Sequence, residues 1–190
     1  MQSATFIKGI TGDDIIMRDG VKQVAFVGRS NAGKSTLLNS IAGAEVARAG
    51  KKQGKTVEVN FFKYGKMYLV DLPGYGFAQG GLDHRERTRD MIIWYLGANR
   101  KGSLTVGLVL DTKVGITDLD RDMIDMLRDQ NVPFVVIANK VDKLNQSELS
   151  RAVKDIEREV PEAIVLPHSA KTGKGKNGIL QALLSESRAQ

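Results

Sequence analysis

Residues 24–36 are Val-Ala-Phe-Val-Gly-Arg-Ser-Asn-Ala-Gly-Lys-Ser-Thr, an apolar run that leads into a glycine-rich turn. The stretch from Gly28 to Ser35 has the spacing G-x-x-x-x-G-K-S. Glycines let backbone N–H groups curl around a phosphate, and a helix beginning at Lys34 aims its positive end at the same anion. The segment therefore predicts a strand, a phosphate-binding loop and a helix over 34–42, within an α/β fold.

The residue types of this loop predict separate contacts with a nucleotide. Lys34 is expected to reach the β- and γ-phosphates, and the Ser35 hydroxyl to bind magnesium. Thr36 is expected at the α-phosphate. The remaining loop residues expected to line the nucleotide are Gly28, Arg29, Ser30, Asn31, Ala32 and Gly33.

A second motif, Asp71-Leu72-Pro73-Gly74, follows an apolar strand. Asp71 is expected to reach magnesium through a water molecule, and the Gly74 N–H to bond the γ-phosphate. Loss of that phosphate would release the loop that follows, which is an order–disorder switch. The first mobile segment supplies Gly54, Lys55 and Thr56, and Thr56 is chosen as the third magnesium ligand because it directly precedes a predicted strand.

The third and fourth motifs predict the choice of base. Asn139-Lys140-Val141-Asp142 follows an apolar strand, and His168-Ser169-Ala170-Lys171 follows the last one. An aspartate carboxylate accepts from both the N1–H and the 2-amino group of guanine, which adenine cannot match. We expect Asn139 to tie this loop to the phosphate loop, the Ala170 N–H to bond O6, and the two lysine stems to cover the ring.

Four such motifs in this order indicate a switch protein that binds GTP or GDP with magnesium. Tyr75 stands where many GTPases carry the glutamine that orients the attacking water, so slow intrinsic hydrolysis is expected. No catalytic group is assigned beyond Lys34 and Gly74 as γ-phosphate stabilisers. Asn31 leaves two interpretations open, a potassium ligand or a loop-stabilising residue, and the second is favoured.

The chain has 190 residues, no cysteine, a net charge of +6 and a pI near 9.5. This size and composition predict one domain over 1–190 without disulfides. The positive charge favours an anionic partner such as nucleic acid, although solubility alone would explain it. No apolar run approaches a membrane span and the N-terminus lacks a secretory core, so a location in the cytoplasm is expected. The sequence is silent on oligomeric state, and a monomer is the default expectation. The lysines and arginines cluster in two stretches, Arg48, Lys51, Lys52 and Lys55, and Lys171, Lys174 and Lys176.

Alternating apolar segments predict a single, mostly parallel sheet of six or seven strands with helices on both faces. Gly65 joins two strands, 57–64 and 66–71, in a hairpin that adds one antiparallel edge strand. The other predicted strands are 5–10, 23–27, 104–111, 133–138 and 163–166, and the other helices are 85–96, 118–129, 147–159 and 176–186. Loops are predicted over 45–55 and 74–83.

Together, the stretch from Val24 to Ser35 and the segment Asp71-Leu72-Pro73-Gly74-Tyr75-Gly76-Phe77-Ala78 resemble the EngB-type (YihA or YsxC) ribosome-biogenesis GTPases. Gly54-Lys55-Thr56 and Asn60-Phe61-Phe62 resemble their first switch. The resemblance implies a one-domain GTPase that acts in large-subunit assembly and contacts ribosomal RNA, without membrane or DNA. The chain departs from the family pattern at Lys55, Asn139 and 113–115.

Two other functions remain as alternatives. One is a GTPase of tRNA modification or trafficking, which the lack of an appended RNA-binding domain or lipidation signal disfavours. The other is a non-catalytic module that uses the nucleotide only for binding, which the intact Lys34, Ser35 and Asp71 disfavour.

Overall fold

The computed structural model describes residues 3–43, 45–46, 57–76, 81–98 and 103–184. In these residues strands and helices alternate, as the apolar segments predict. The strands are β1 (Thr5–Ile10), β2 (Lys22–Gly28), β3 (Val59–Tyr64), β4 (Met67–Asp71), β5 (Leu104–Asp111), β6 (Phe134–Asn139) and β7 (Val165–Pro167). The helices are α1 (Lys34–Ala42), α2 (Gly81–Gly97), α3 (Asp118–Asp129), α4 (Gln146–Glu159) and α5 (Lys176–Leu184).

The seven strands form one sheet in the order β1-β3-β4-β2-β5-β6-β7. Every pair from β4 to β7 is parallel, whereas β3 runs antiparallel to both of its neighbours. The mixed seven-stranded sheet and the hairpin at Gly65 are confirmed. The antiparallel strand β3 is not the edge strand of the sheet, because β1 pairs with it on its outer side and forms the edge.

Helices cover both faces of the sheet, which is also confirmed. Successive residues of β2 point to opposite faces. Val24 and Phe26 belong to the apolar cluster that contains residues of α1 and α5. Ala25 and Val27 belong to the cluster formed with α2, α3 and α4. Because β2 is buried on both faces, its apolar residues form a continuous run instead of alternating with polar ones.

The start of α2 corrects the sequence prediction. This helix begins at Gly81, whereas the sequence predicted a loop to residue 83 and a helix from Arg85. Gly81 has φ +70°, which glycine adopts without strain, and Asp83 in the first turn faces the positive end of the helix. Because glycines usually indicate a loop, the sequence pattern did not show that the helix begins at one. Strand ends elsewhere differ from prediction by one or two residues.

Parts of both predicted loops lie outside the described residues. These parts are residues 47–55 of the first loop and 77–80 of the second. Among the helices that are described, none is long and apolar enough to cross a membrane.

Candidate nucleotide-binding site

The four motifs meet at one edge of the sheet, where the parallel strands end. Strand β2 ends at Gly28, β4 at Asp71 and β6 at Asn139, and β7 ends one residue before His168. The order of the strands brings these ends side by side, with β5 between β2 and β6. Such a carboxyl edge is the usual ligand site of an open parallel sheet.

The phosphate loop, residues 28–35, depends on two glycines for its shape. A Cβ on Gly28 would lie 2.6 Å from the carbonyl oxygen of Val109. Gly33 has φ +94° and caps α1 without a side-chain bond, and its Cβ would lie 2.4 Å from Asn139 Nδ2. Asn31 is also left-handed at φ +70°, a conformation that asparagine tolerates better than most residues. The loop therefore leaves the first-turn N–H groups of α1 free for an anion.

Lys34 and Asp71 form an ion pair in the middle of this edge. Their side chains are only 10% and 18% exposed. A charged pair with so little access to water has a strong mutual interaction, because screening is weak there. The first two motifs thus hold opposite charges in direct contact.

Asn139 joins the third motif to the phosphate loop. Its Nδ2 donates to the carbonyl oxygen of Ala32 at 2.9 Å, across 107 residues of sequence. Its backbone carbonyl accepts from both the N–H and the hydroxyl of Thr112, at 3.0 and 2.6 Å. The side chain is 2% exposed and therefore has one fixed orientation.

His168 completes the hydrogen bonds of Asn139. Its Nδ1 lies 2.9 Å from Asn139 Oδ1. The amide oxygen can only accept, so Nδ1 carries the proton and donates it. His168 is fully buried, and burial lowers the pKa of its imidazole from 6.5 to about 4. The ring is thus a neutral support behind Asn139.

Asp142 is held by the fourth motif. The Ser169 hydroxyl donates to Asp142 Oδ1 at 2.6 Å. This bond, followed by the backbone N–H of Asp142 and then the charges of Lys171 and Lys143, lowers the pKa of the Asp142 carboxyl below its usual value. Asp142 is therefore an ionised acceptor at neutral pH, positioned by the loop after β7.

Lys140 crosses back toward the phosphate loop. Its ammonium donates to the carbonyl oxygen of Asn31 and pairs with Asp111 Oδ2 at 2.7 Å. Lys140 itself has φ +65°, which turns the chain out of β6. The stem of this side chain thus runs along the edge between the third motif and the phosphate loop.

The side chain of Tyr75 is bonded at the start of α3, whereas its backbone adjoins the phosphate loop. Its hydroxyl donates to Asp120 Oδ1 at 2.7 Å, and the residue is only 8% exposed. Asp120 Oδ2 accepts from the N–H and the hydroxyl of Thr117, at 2.9 and 2.7 Å, and Arg29 donates to that hydroxyl at 2.9 Å. Burial and the charge of Asp120 raise the pKa of Tyr75 above its usual range. Tyr75 and Arg29 therefore bind the cap of α3.

The other predicted residues are placed in three ways. Leu72 and Val141 are 1% and 4% exposed in the apolar interior, so only their backbones can meet a ligand. Thr36 and Lys171 are exposed, and Ser35, Pro73, Gly74 and Ala170 are half-buried. Gly54, Lys55 and Thr56 lie outside the described residues, as do the basic residues of that stretch.

Sequence reasoning missed the residues that support the motifs. Asp111 was a detectable candidate, because it ends β5 at the same edge as the other motifs. Asp120 lies three residues after Thr117, which is the spacing of a capping box. The hydrogen bond of Asp120 to Tyr75 spans 45 residues, and the spacing carries no signal for it.

A family profile described as "50S ribosome-binding GTPase" matches residues 23–140, which is more than half of the chain. A second, the GTP-binding domain of elongation factor Tu, matches residues 104–188. The fold and the four motifs therefore define a GTPase, a protein that binds guanine nucleotides and hydrolyses GTP.

Curated relatives narrow the class. The chain is 40% identical over 164 residues to a probable GTP-binding protein EngB of Aquifex aeolicus, covering 86% of this chain and 90% of that protein. It is 36% identical over 189 residues to the EngB of Solibacter usitatus, covering 98% and 97%. The chain belongs to the EngB family of GTP-binding proteins, which confirms the resemblance of its motifs.

Solved structures support the fold. A crystal structure of a probable EngB protein superimposes with a TM-score of 0.67 at 24% identity, covering 86% of this chain and all of that one. Era in complex with MgGDPNP and a fragment of 16S ribosomal RNA superimposes with a TM-score of 0.70 at 21% identity, covering 90% of this chain and 59% of that one. At these identities the likeness concerns the fold alone.

Proposed function

We propose that this GTPase binds GTP with magnesium through the four motifs, hydrolyses it slowly, and acts in assembly of the large ribosomal subunit. The observation that carries the nucleotide site is the set of hydrogen bonds from Asn139 to Ala32 and from Ser169 to Asp142. These bonds join three separate motifs around one edge of the sheet. The phosphates would lie on the phosphate loop and the base beside Asp142.

Magnesium fits the oxygen atoms at the phosphate end. Ser35 offers a hydroxyl and Asp71 a carboxylate, and magnesium prefers such hard oxygen donors together with phosphate oxygens and water. No cluster of three acidic or histidine side chains occurs among the described residues. The ion would therefore be held largely by the nucleotide, with Thr56 as the third protein ligand. Bound magnesium would neutralise the developing charge on the phosphates.

Guanine selectivity would come from Asp142. An ionised carboxylate accepts two hydrogen bonds from guanine, whereas adenine would leave it partly unpaired, which is costly. The Ser169 hydroxyl at 2.6 Å fixes the orientation of this carboxylate before the base arrives. Lys140 and Lys171 would cover the ring faces, and the Ala170 N–H would meet O6.

Slow hydrolysis follows from the position of Tyr75. Its phenol donates to Asp120 and has its pKa raised, so it is no base for the attacking water. Lys34 and the Gly74 N–H would stabilise the γ-phosphate without activating water. A bound particle or an ion would complete the site, and potassium beside Asn31 stays a prediction that hydrolysis rates in potassium and sodium test directly.

The ribosomal role is supported by three observations. The matching family profile is described as a 50S ribosome-binding GTPase. The curated relatives are EngB proteins. The net charge of +6 suits an RNA partner. A soluble protein of the cytoplasm that acts as a monomer fits this duty.

Cosedimentation with ribosomal particles tests the proposal. The protein would be mixed with small subunits, large subunits and large-subunit precursors in the presence of GDP or a non-hydrolysable GTP analogue. We expect binding to large-subunit particles with the analogue, little binding with GDP, and a steep loss with added salt. Lys34→Ala serves as the control that has lost the triphosphate contact. Binding that ignores the nucleotide, or prefers small subunits, would contradict this role.

A further inference from the structure

One buried hydroxyl of the phosphate loop has no hydrogen-bond partner in the part of the chain that the structure describes. Among the described residues, three buried side-chain polar atoms make no hydrogen bond: Ser30 Oγ, Thr88 Oγ1 and His168 Nε2. His168 Nε2 is the unprotonated nitrogen of a ring that already donates to Asn139. Thr88 lies in α2, outside the four motifs. Only Ser30 combines an unpartnered hydroxyl with a place in the site.

Ser30 lies next to Gly74 and Tyr75, at the end of the second motif. Its N–H donates to the carbonyl oxygen of Tyr75 at 2.9 Å. A Cβ built on Gly74 would lie 3.4 Å from Ser30 Oγ, which is van der Waals distance. The hydroxyl thus lies beside the residue whose N–H is proposed to meet the γ-phosphate.

The neighbouring polar side chains that the structure describes are bonded to other residues. Tyr75 donates to Asp120, Arg29 donates to Thr117, and Lys34 pairs with Asp71. A buried hydroxyl without a partner is unfavourable, and native structures seldom keep one without a reason. A phosphate oxygen beside Gly74 would supply the missing acceptor.

We propose that the Ser30 hydroxyl donates a hydrogen bond to a non-bridging oxygen of the γ-phosphate, so that Ser30 determines selectivity for GTP over GDP. This inference rests on the proposed nucleotide site. During hydrolysis the water oxygen attacks the γ-phosphorus and the bond to the β–γ bridging oxygen breaks. GDP leaves with that oxygen, and the proton of the water passes to an oxygen of the released phosphate. Ser30 keeps its proton throughout and strengthens its bond as charge grows on the γ-phosphate oxygens.

The test compares a diphosphate with a triphosphate in two variants. Dissociation constants for GDP and for a non-hydrolysable GTP analogue would be measured with magnesium for the wild type and for Ser30→Ala. A hydrogen bond to a charged group predicts about a ten-fold weaker binding of the analogue. GDP binding should change by less than about two-fold, since GDP lacks the acceptor. Thr88→Val removes the other unpartnered hydroxyl and should alter neither constant.

Each outcome decides the proposal. Equal weakening for both nucleotides would assign Ser30 to loop structure alone and overturn it, as would no change. Ser30→Cys keeps the side-chain size with a weak donor, so it should lose part of the analogue affinity even if Ser30→Ala fails to fold. If the wild type binds neither nucleotide, the proposed function fails as well. If the wild type binds guanine nucleotides and both Ser30 variants keep its GTP-to-GDP ratio, only this inference fails.

Discussion

The two ends of the candidate site are held in different ways. At the base end, hydrogen bonds to Ala32 and His168 hold Asn139, and a bond from Ser169 holds Asp142, so the recognition atoms stay in place. At the phosphate end, Lys34 and Asp71 are bonded to each other. A γ-phosphate and magnesium would have to replace that pair.

This difference suggests how binding energy is divided. A preorganised base end needs little ordering when guanine binds, and its contacts would be the same for GDP and GTP. The phosphate end exchanges one set of charged contacts for another, so its net gain is smaller and depends on the third phosphate. A switch protein requires this division, because GTP and GDP must stabilise different conformations of the protein and not only bind with different affinities.

The largest effect is expected where the two ends join. In Gly33→Ala, the added Cβ would lie 2.4 Å from Asn139 Nδ2, on a residue with φ +94°. Left-handed strain and the lost bond from Asn139 to Ala32 together cost about 4 kcal/mol, or roughly a thousand-fold in affinity for GDP. Calorimetric titration with GDP measures this loss.

Gly12→Ala is the matched control for this substitution. A Cβ at Gly12 meets nothing within 4 Å, so GDP affinity and stability should be unchanged. Tight GDP binding by Gly33→Ala would show that the two ends do not depend on each other.

The next effect is on stability at low pH. Burial lowers the pKa of His168 from 6.5 to about 4, so the unfolded chain takes up a proton at a pH where the folded chain does not. Stability is therefore full above pH 6.5 and falls as the pH drops toward 4, by on the order of 3 kcal/mol. Urea unfolding at successive pH values measures the slope.

In His168→Leu this slope should disappear between about pH 6.5 and 5, although the variant is less stable at pH 7. The carboxyls of Asp14, Asp142 and Glu162, whose pKa values are lowered from 3.8, 3.8 and 4.5, contribute slope below that window. An unchanged slope in the variant would mean that His168 is not the titrating group.

A smaller effect is expected on affinity when His168 loses its donor. His168→Leu leaves Asn139 Oδ1 unpaired, and we expect about ten-fold weaker GDP binding at pH 7.5. His168→Gln can still donate and should recover most of the affinity. Equal affinities in the two variants would show that the ring fills space without orienting Asn139.

The smallest effect concerns Tyr75 at the phosphate end. Tyr75→Phe removes the bond to Asp120 and should cost about 1 kcal/mol of stability, with the intrinsic hydrolysis rate unchanged. Tyr68→Phe is the control, because its hydroxyl donates to an exposed Asp19 at 2.7 Å and should cost almost nothing. A large fall in hydrolysis in Tyr75→Phe would contradict the view that this side chain serves α3 alone.

The sequence predicted the parts of the fold that depend on local sequence patterns. Strands 5–10 and 104–111 and helices 34–42 and 118–129 have the predicted bounds, because apolar periodicity and end signals coincide there. Spacing also placed Gly28, Asp71 and Asn139 at strand ends. The pairing of β1 with β3 and the hydrogen bonds of His168 and Tyr75 join distant segments, and no local pattern encodes which buried partner a polar side chain meets.

The most direct test of the account is a competition titration of GTP, GDP and ATP with magnesium, on the wild type, Asp142→Ala and the exposed-site control Asp129→Ala. The account predicts that the wild type and the control bind both guanine nucleotides far more tightly than ATP, and that Asp142→Ala loses this preference. Equal binding of ATP by the wild type, or an unchanged preference in Asp142→Ala, would contradict the assignment of residues 139–142 to the base.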